Sequence, residues 1–231
     1  MLESNQIKEK QATGIKKSIG LLLLLLSICH PIFAHDVVGE LENMSKVDTA
    51  ILYLKLGHKH ILPLGLDHIL FVVSLFLLST NLKSVLWQSL AFTIAHSVTL
   101  GLAMYNVVNV SPDVVEPLIA LSILYVALKN VFISKLRPSR IGIVFLFGLI
   151  HGLGFASALS NLGLPQNSYL SSLIMFNIGV ELGQLTIIFA AFFLFGKWFG
   201  GKPFYHKYIV IPVSLTIAAI ALFWVVQRTL F

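Results

Sequence analysis

The stretch GHKHILPLGLDHILFVVSLFLLS, residues Gly57–Ser79, decides the fold. Its second half is as apolar as a transmembrane helix, yet His58, His60, Asp67 and His68 lie at or just inside its start. Ionisable side chains are costly in the hydrocarbon of a bilayer, and where they occur they are functional candidates by default. The stretch therefore indicates a membrane helix that carries one wall of a polar site.

The composition of the whole chain is that of an integral membrane protein. Of its 231 residues, 57% are hydrophobic and only 11% are charged, which is more apolar than a soluble domain of this length. The length suggests a single domain. The one cysteine, Cys29, lies in the predicted leader, so neither a disulfide nor a thiolate metal ligand is expected in the mature chain.

Residues 1–34 are predicted to be a cleaved signal peptide. A lysine-rich region precedes the short apolar run IGLLLLLLSI, and IFA ending at Ala34 is an acceptable cleavage site. The alternative is a retained first helix. Residues 35–60 are then expected to form a short extracytoplasmic segment whose amphipathic end lies at the membrane interface. Residues 61–231 are expected to form the transmembrane domain.

The rest of the chain contains six apolar stretches of helix length. They predict an all-α fold, a polytopic membrane helix bundle with about six transmembrane helices. The fifth is long enough to tilt or to run past the bilayer. The six stretches are residues 62–79, 85–105, 114–133, 141–160, 169–196 and 208–226.

The distribution of Lys and Arg predicts the orientation. The loops after the first, third and fifth spans carry Lys or Arg, whereas the loops after the second and fourth carry neither. Because basic loops stay in the cytoplasm, both ends of the mature chain are expected outside it, in the inner (cytoplasmic) membrane. The net charge of +6 is then a topology signal, so the bilayer and not nucleic acid is the expected partner.

Four of the six spans carry a costly polar group. Asp67 and His68 lie in the first span, His96 in the second, His151 in the fourth and Glu181 in the fifth. At about 1.5 Å per residue, each is about 8 to 18 Å from the outer end of its span. They are therefore expected to form one layer in the outer half of the bilayer, facing the bundle interior.

The polar groups suit a divalent transition metal. His60, Asp67 and His68 are spaced i, i+7, i+8, which is one stripe of a continuous helix. Neutral imidazoles with one or two carboxylates bind ions such as Ni²⁺, Co²⁺ or Zn²⁺, and neighbouring amides and hydroxyls orient the ligands. The predicted ligands are His60, Asp67, His68, His96, His151 and Glu181, and the residues predicted to orient them are Thr93, Ser97, Asn177 and Gln184.

Four motifs resemble the HupE/UreJ membrane proteins: HILPLGLDHILF, FTIAHSVTL, HGLGFA and FNIGVELGQ, within about residues 55–226. The resemblance implies a nickel or cobalt permease that accompanies a hydrogenase or urease system, and hence a link to a metalloenzyme maturation system. The family's hallmark in the first span is His, five residues, then Asp-His. Here six residues separate His60 from Asp67, so the ligand role carries over most directly to Asp67 and His68.

Two functions from different classes remain open. The first is a permease for nickel or cobalt. It would be a secondary permease, because the sequence has no phosphate-binding loop of the Walker type and the chain is therefore not expected to use ATP itself. The second is an intramembrane metal-dependent hydrolase with an outward-facing zinc-type site, in which Glu181 or Asp67 is the general base. A metal-sensing or assembly subunit is a third class. Without a metal, the same groups would be a proton relay or hydrogen-bonded contacts between helices.

Overall fold

The fold is that of a computed structural model, which describes residues 44–133, 139–162 and 169–230. Within these ranges the chain is helical apart from short connections, and no strand occurs there. The predicted signal peptide, residues 1–34, lies outside them.

The described residues form seven helices. The last two each contain one π-helical turn, Phe192–Gly196 and His206–Val210. The helices are α1 Lys46–Ile61, α2 Leu66–Leu78, α3 Leu82–Met104, α4 Pro112–Phe132, α5 Arg140–Leu162, α6 Tyr169–Phe199 and α7 His206–Leu230.

Local sequence fixes the starts of three helices. The Ser45 side chain accepts a hydrogen bond from the Asp48 backbone N–H at 3.2 Å, and so caps α1. Asn81 caps α3 and Ser111 caps α4 in the same manner, and α4 has proline in its first turn, where no backbone donor is needed. These caps set the registers in which α1, α3 and α4 present their buried side chains.

Four helices are long and apolar enough to cross a membrane: α3, α4, α6 and α7. Helices α1 and α2 pass the same test only together, with a bend of 69° between them, as a broken span or a re-entrant loop. Helix α5 contributes a shorter apolar helix, Arg140–Ala156. Among the described residues there are therefore four candidate spans, or five with the bent pair. The all-α membrane bundle is confirmed, and the count of about six spans remains a prediction.

The segment predicted at the interface, residues 35–60, overlaps α1, and α1 packs along α6. Gly57 lies directly against the backbone carbonyl of Phe176, so that any Cβ at this position would collide with that oxygen. Gly152 of α5 lies equally close to the carbonyl of His96 in α3. Glycine lets helix backbones approach this closely. The first contact holds the part of α1 that carries His60 against α6, and the second holds the part of α5 that carries His151 against the part of α3 that carries His96.

The end of α2 distant from its histidine is held by hydrogen bonds. The Asn130 amide and the Arg140 guanidinium donate to the Ser74 carbonyl at 2.7 and 3.2 Å. Arg140 also donates to the Asn130 side chain at 3.3 Å, and His206 approaches the Asn130 carbonyl at 3.1 Å. Carbonyls near a helix end need such partners. Helix α2 is thereby fixed to α4, α5 and α7.

Candidate metal site

His60, His68 and His96 form a compact cluster of imidazoles. Each histidine has one ring nitrogen that lies within 4.8 Å of a ring nitrogen of each of the other two. The ring centroids are 4.7 to 6.1 Å apart. His68 is 2% exposed and His96 is fully buried. Nitrogens bound to one tetrahedral ion at about 2.0–2.1 Å are about 3.4 Å apart, so modest ring rotations would bring all three onto one ion.

The bend between α1 and α2 brings two of these rings together. His60 lies in the last turn of α1, and His68 lies in the first turns of α2. Gly65 packs directly on the backbone carbonyl of His60, which allows the chain to turn sharply between the two helices. From the sequence, His60 and His68 were expected on one stripe of a continuous helix. That geometry was wrong, because the helix is interrupted at residues 62–65 and the rings meet across the bend.

Hydrogen bonds at Nδ1 orient two of the rings. His68 Nδ1 is 3.1 Å from the Asp67 carboxylate, and His96 Nδ1 is 3.3 Å from the Asn177 side-chain oxygen. The Asn177 amide nitrogen donates to the Leu173 carbonyl at 2.8 Å, so its oxygen is the atom turned to His96. Since both partners of the rings are acceptors, Nδ1 carries the proton and Nε2 presents its lone pair.

The Nε2 atoms of His60, His68 and His96 are buried and have no hydrogen-bond partner within the described residues. Buried polar atoms are normally paired, and those that are not call for an explanation. A metal ion would use all three lone pairs at once. The protonated Nδ1 atoms on acceptor oxygens complete the pattern usual for histidine ligands.

His151 lies beside the cluster, outside the group of ligand atoms formed by His60, His68 and His96, and presents its other nitrogen. Its ring centroid is 5.0 Å from that of His68, and its Nε2 is 2.9 Å from the Ser122 hydroxyl. The hydroxyl donates to the Ile119 carbonyl at 2.7 Å, so its oxygen accepts the Nε2 proton of His151. Nδ1 is then the free lone pair, and it too is buried without a partner in the described part of the chain.

Glu181 occupies a different position, between α3 and α6. Its carboxylate accepts hydrogen bonds from Thr93 at 2.5 Å and from Ser89 at 3.4 Å. The group of ligand atoms found among the described residues does not include it. Ser97 donates to the Thr93 carbonyl, one turn back in its own helix, and the Gln184 side-chain amide lies 2.7 Å from the Ser89 hydroxyl. Ser89 was not singled out from the sequence, although it is four residues from Thr93 on the same face of α3.

An open cavity of about 600 Å³ leads to the histidines. Near its walls, Arg228 of α7 lies 3.9 Å from the carboxylate of Glu116 in α4 and donates to the Glu116 carbonyl at 3.1 Å. Neither of these two residues was predicted from the sequence as part of a site. The charged and imidazole side chains lining the cavity are Lys59, His60, Asp67, His68, Glu116, His151 and Arg228.

Comparison with known proteins places most of the chain in one family. The family model described as HupE / UreJ protein matches residues 37–228. Comparison with curated proteins and with solved structures gave no match. The matched range contains the histidine cluster, the cavity and the pairs between α3 and α6.

Proposed function

Because the chain belongs to the HupE/UreJ family, and because three imidazoles, two of them buried, meet beside the bend between α1 and α2, we propose that it is a secondary permease for a divalent transition-metal ion. Nickel is the expected substrate and cobalt the alternative, as the family resemblance implies. The observation that carries the proposal is the set of three buried Nε2 atoms without partners among the described residues, two of them on rings held at Nδ1 by an acceptor.

In this proposal the ion is bound by Nε2 of His60, His68 and His96, with Nδ1 of His151 as a fourth nitrogen. Imidazole is a suitable ligand for nickel, cobalt and zinc alike. Asp67 holds the His68 ring and supplies a negative charge beside the ion. That charge offsets part of the cost of placing a dication at membrane depth.

The cavity is the proposed entrance. His60, Asp67 and His68 line it, so a hydrated ion could exchange water for imidazole step by step. With the predicted orientation, the cavity opens to the extracytoplasmic side of the inner membrane. Release on the other side then requires a rearrangement of the bundle, in which the two arrangements differ in their affinity for the ion.

The experiment combines metal content with uptake. The full-length protein, His68→Ala and the matched control His58→Ala are purified, loaded with Ni²⁺ and reconstituted in proteoliposomes. His58 lies on α1 close to His60 but is outside the ligand group. We expect His68→Ala to weaken nickel binding by more than about tenfold, since loss of even an outer partner of a ligand costs about 10- to 100-fold. Uptake should fall with it, and the control should match the parent.

Two results would contradict the proposal. Equal nickel content in the parent and His68→Ala would remove the imidazole cluster from the binding site. Nickel that binds tightly to the parent but never enters the vesicles would contradict transport and would favour the hydrolase or sensor interpretation.

A further inference from the structure

A row of hydrogen-bonded side-chain pairs joins the antiparallel helices α3 and α6. The first pair lies at the histidine cluster, and the next two follow at one-turn intervals, toward the start of α3 and the end of α6. At about 1.5 Å per residue, the row covers about 10 Å along α3. The pairs are His96 with Asn177 at 3.3 Å, Thr93 with Glu181 at 2.5 Å and Ser89 with Gln184 at 2.7 Å.

The row leads away from the cavity. The cavity lies at the first turns of α4 and the last turns of α7, where Glu116 and Arg228 line it, and α4 follows the end of α3 in the chain. Ser89 lies in the opposite half of α3, and none of the residues of the second and third pairs lines the cavity. The row is therefore a candidate path for an ion that enters through the cavity and leaves at the other side of the bundle.

The number of available protons determines which groups donate the hydrogen bonds among Ser89, Glu181 and Gln184. Ser89 has one hydroxyl proton, but oxygens of both Glu181 and Gln184 lie within its reach, at 3.4 and 2.7 Å. If the Gln184 amide is turned by 180°, its NH₂ group donates to Ser89, and Ser89 donates to Glu181. The Ser89 hydroxyl then has a matching donor in Gln184 and a matching acceptor in the Glu181 carboxylate.

The turned amide leaves one oxygen free. The second amide atom of Gln184 is buried without a hydrogen-bond partner among the described residues, in a side chain with 0% exposure. After the turn this atom is a carbonyl oxygen, on a side chain that shares the Ser89 hydroxyl with the partly buried carboxylate of Glu181. A carboxylate and an amide oxygen are cation ligands, and the hydroxyls of Ser89 and Thr93 fix the carboxylate.

We propose that Glu181 and Gln184, held by Ser89 and Thr93, form a second cation site that receives the ion from the histidine site. This inference rests on the proposed permease function. Oxygen donors bind nickel and cobalt less strongly than imidazoles do, and a permeation pathway needs sites that bind the ion but also release it. The Glu181 charge compensates the ion at a depth where a bare cation would be costly. The second site is therefore transient, and the histidine site is the one that retains metal.

Glu181→Gln tests the proposal, because glutamine keeps the size and an acceptor oxygen for Thr93 while removing the charge. We expect nickel content at equilibrium to remain that of the parent and initial nickel uptake into proteoliposomes to fall about tenfold or more. Gln184→Met, which removes the free oxygen without changing the length of the side chain, should reduce uptake in the same direction. Thr186→Val is the matched control, because Thr186 is exposed on the same helix and, among the described residues, its hydroxyl bonds to the Leu182 carbonyl one turn back in that helix.

Each other outcome overturns the second site. Loss of nickel content together with uptake, in a folded variant, would make Glu181 a member of the histidine site. Normal content and normal uptake in both variants would leave the row as a contact that holds α3 to α6. A parent protein that binds nickel but transports none would contradict the permease itself, and the second site would fall with it. Thermal unfolding of every variant separates these results from misfolding.

Discussion

At the residue scale, Asp67 has two roles in the site. Its carboxylate accepts hydrogen bonds from the backbone N–H of His68 at 2.9 Å and from the His68 ring at 3.1 Å. The Asp67 side chain is 24% exposed, whereas that of His68 is 3% exposed, so the carboxylate lies between the cavity and the buried ring. Asp67 therefore sets the orientation of His68 and gives an arriving cation its first negative charge.

Asp67→Asn should weaken nickel binding by about 10- to 100-fold, the usual loss when the partner of a histidine ligand is changed. Asparagine has the same shape, but it has no charge and one of its two oxygens is replaced by a donor. The measurement is a nickel titration of the purified protein. Asp113→Asn, at the exposed start of α4, is the control. An affinity equal to that of the parent would show that Asp67 does not act on the site.

The sequence predicted which residues belong to the polar site better than it predicted which of them lie close together. His60, His68 and His96 were all predicted as ligands, because ionisable groups in apolar helices are few and face inward. The depth of a residue along a span follows from counting, but the rotation of the helix about its axis does not. The depth of Glu181 in the bilayer therefore stays a prediction from counting, whereas the hydrogen bonds of its carboxylate to Thr93 and Ser89 could not be read from the sequence.

At the element scale, the position of α1 depends on its close packing on α6. His60 is carried by α1, and the backbones of the two helices approach closely where Gly57 meets the Phe176 carbonyl. A side chain at Gly57 would push the helices apart and move His60 away from the rings on α2 and α3. Packing between α1 and α6 and metal binding should therefore change together.

Gly57→Ala should destabilise the protein by about 1–3 kcal/mol, the usual cost of overpacking, and should also lower nickel affinity. Gly142→Ala is the control, because Gly142 lies in α5 with open space where a Cβ would be; there alanine should be neutral or favoured by up to about 1 kcal/mol. Thermal unfolding in detergent and nickel titration measure the two effects. A Gly57→Ala protein as stable as Gly142→Ala would contradict the packing described for α1.

The helices with polar, well-capped ends were predicted closely. The stretches 85–105 and 114–133 correspond to α3, Leu82–Met104, and α4, Pro112–Phe132. The stretch 62–79 was predicted as one span, but α2 begins only at Leu66. Pro63 and Gly65 break the helix inside an apolar run, and hydropathy alone does not register such a break.

At the scale of the whole molecule, the number of times the chain crosses the membrane determines on which side each end of the chain lies. Helix α5 has 23 residues, about 34 Å at 1.5 Å per residue, which is enough to cross a hydrocarbon core of about 30 Å. If α5 crosses and the bent pair α1–α2 crosses once, there are six spans, and both ends of the mature chain lie on one side. This is the arrangement that the basic loops predict.

Reporter fusions test that arrangement. A reporter after Lys83 or Lys202 should behave as cytoplasmic, and one after Asn109 as extracytoplasmic, because the basic loops stay inside. The side found for the fusion after Lys83, compared with the side on which the chain before α1 lies, also decides whether α1 and α2 cross or re-enter. The reverse pattern would place the cavity on the cytoplasmic side and would make the histidine site an exit.

The central claim is that His60, His68 and His96 bind the ion together. Nickel X-ray absorption of the loaded full-length protein tests it most directly, with His96→Ala as the comparison. We predict a first shell at about 2.0–2.1 Å with the outer-shell scattering of at least three imidazoles in the parent, and of one imidazole fewer in His96→Ala. A spectrum with only oxygen ligands, or one unchanged by His96→Ala, would contradict the claim.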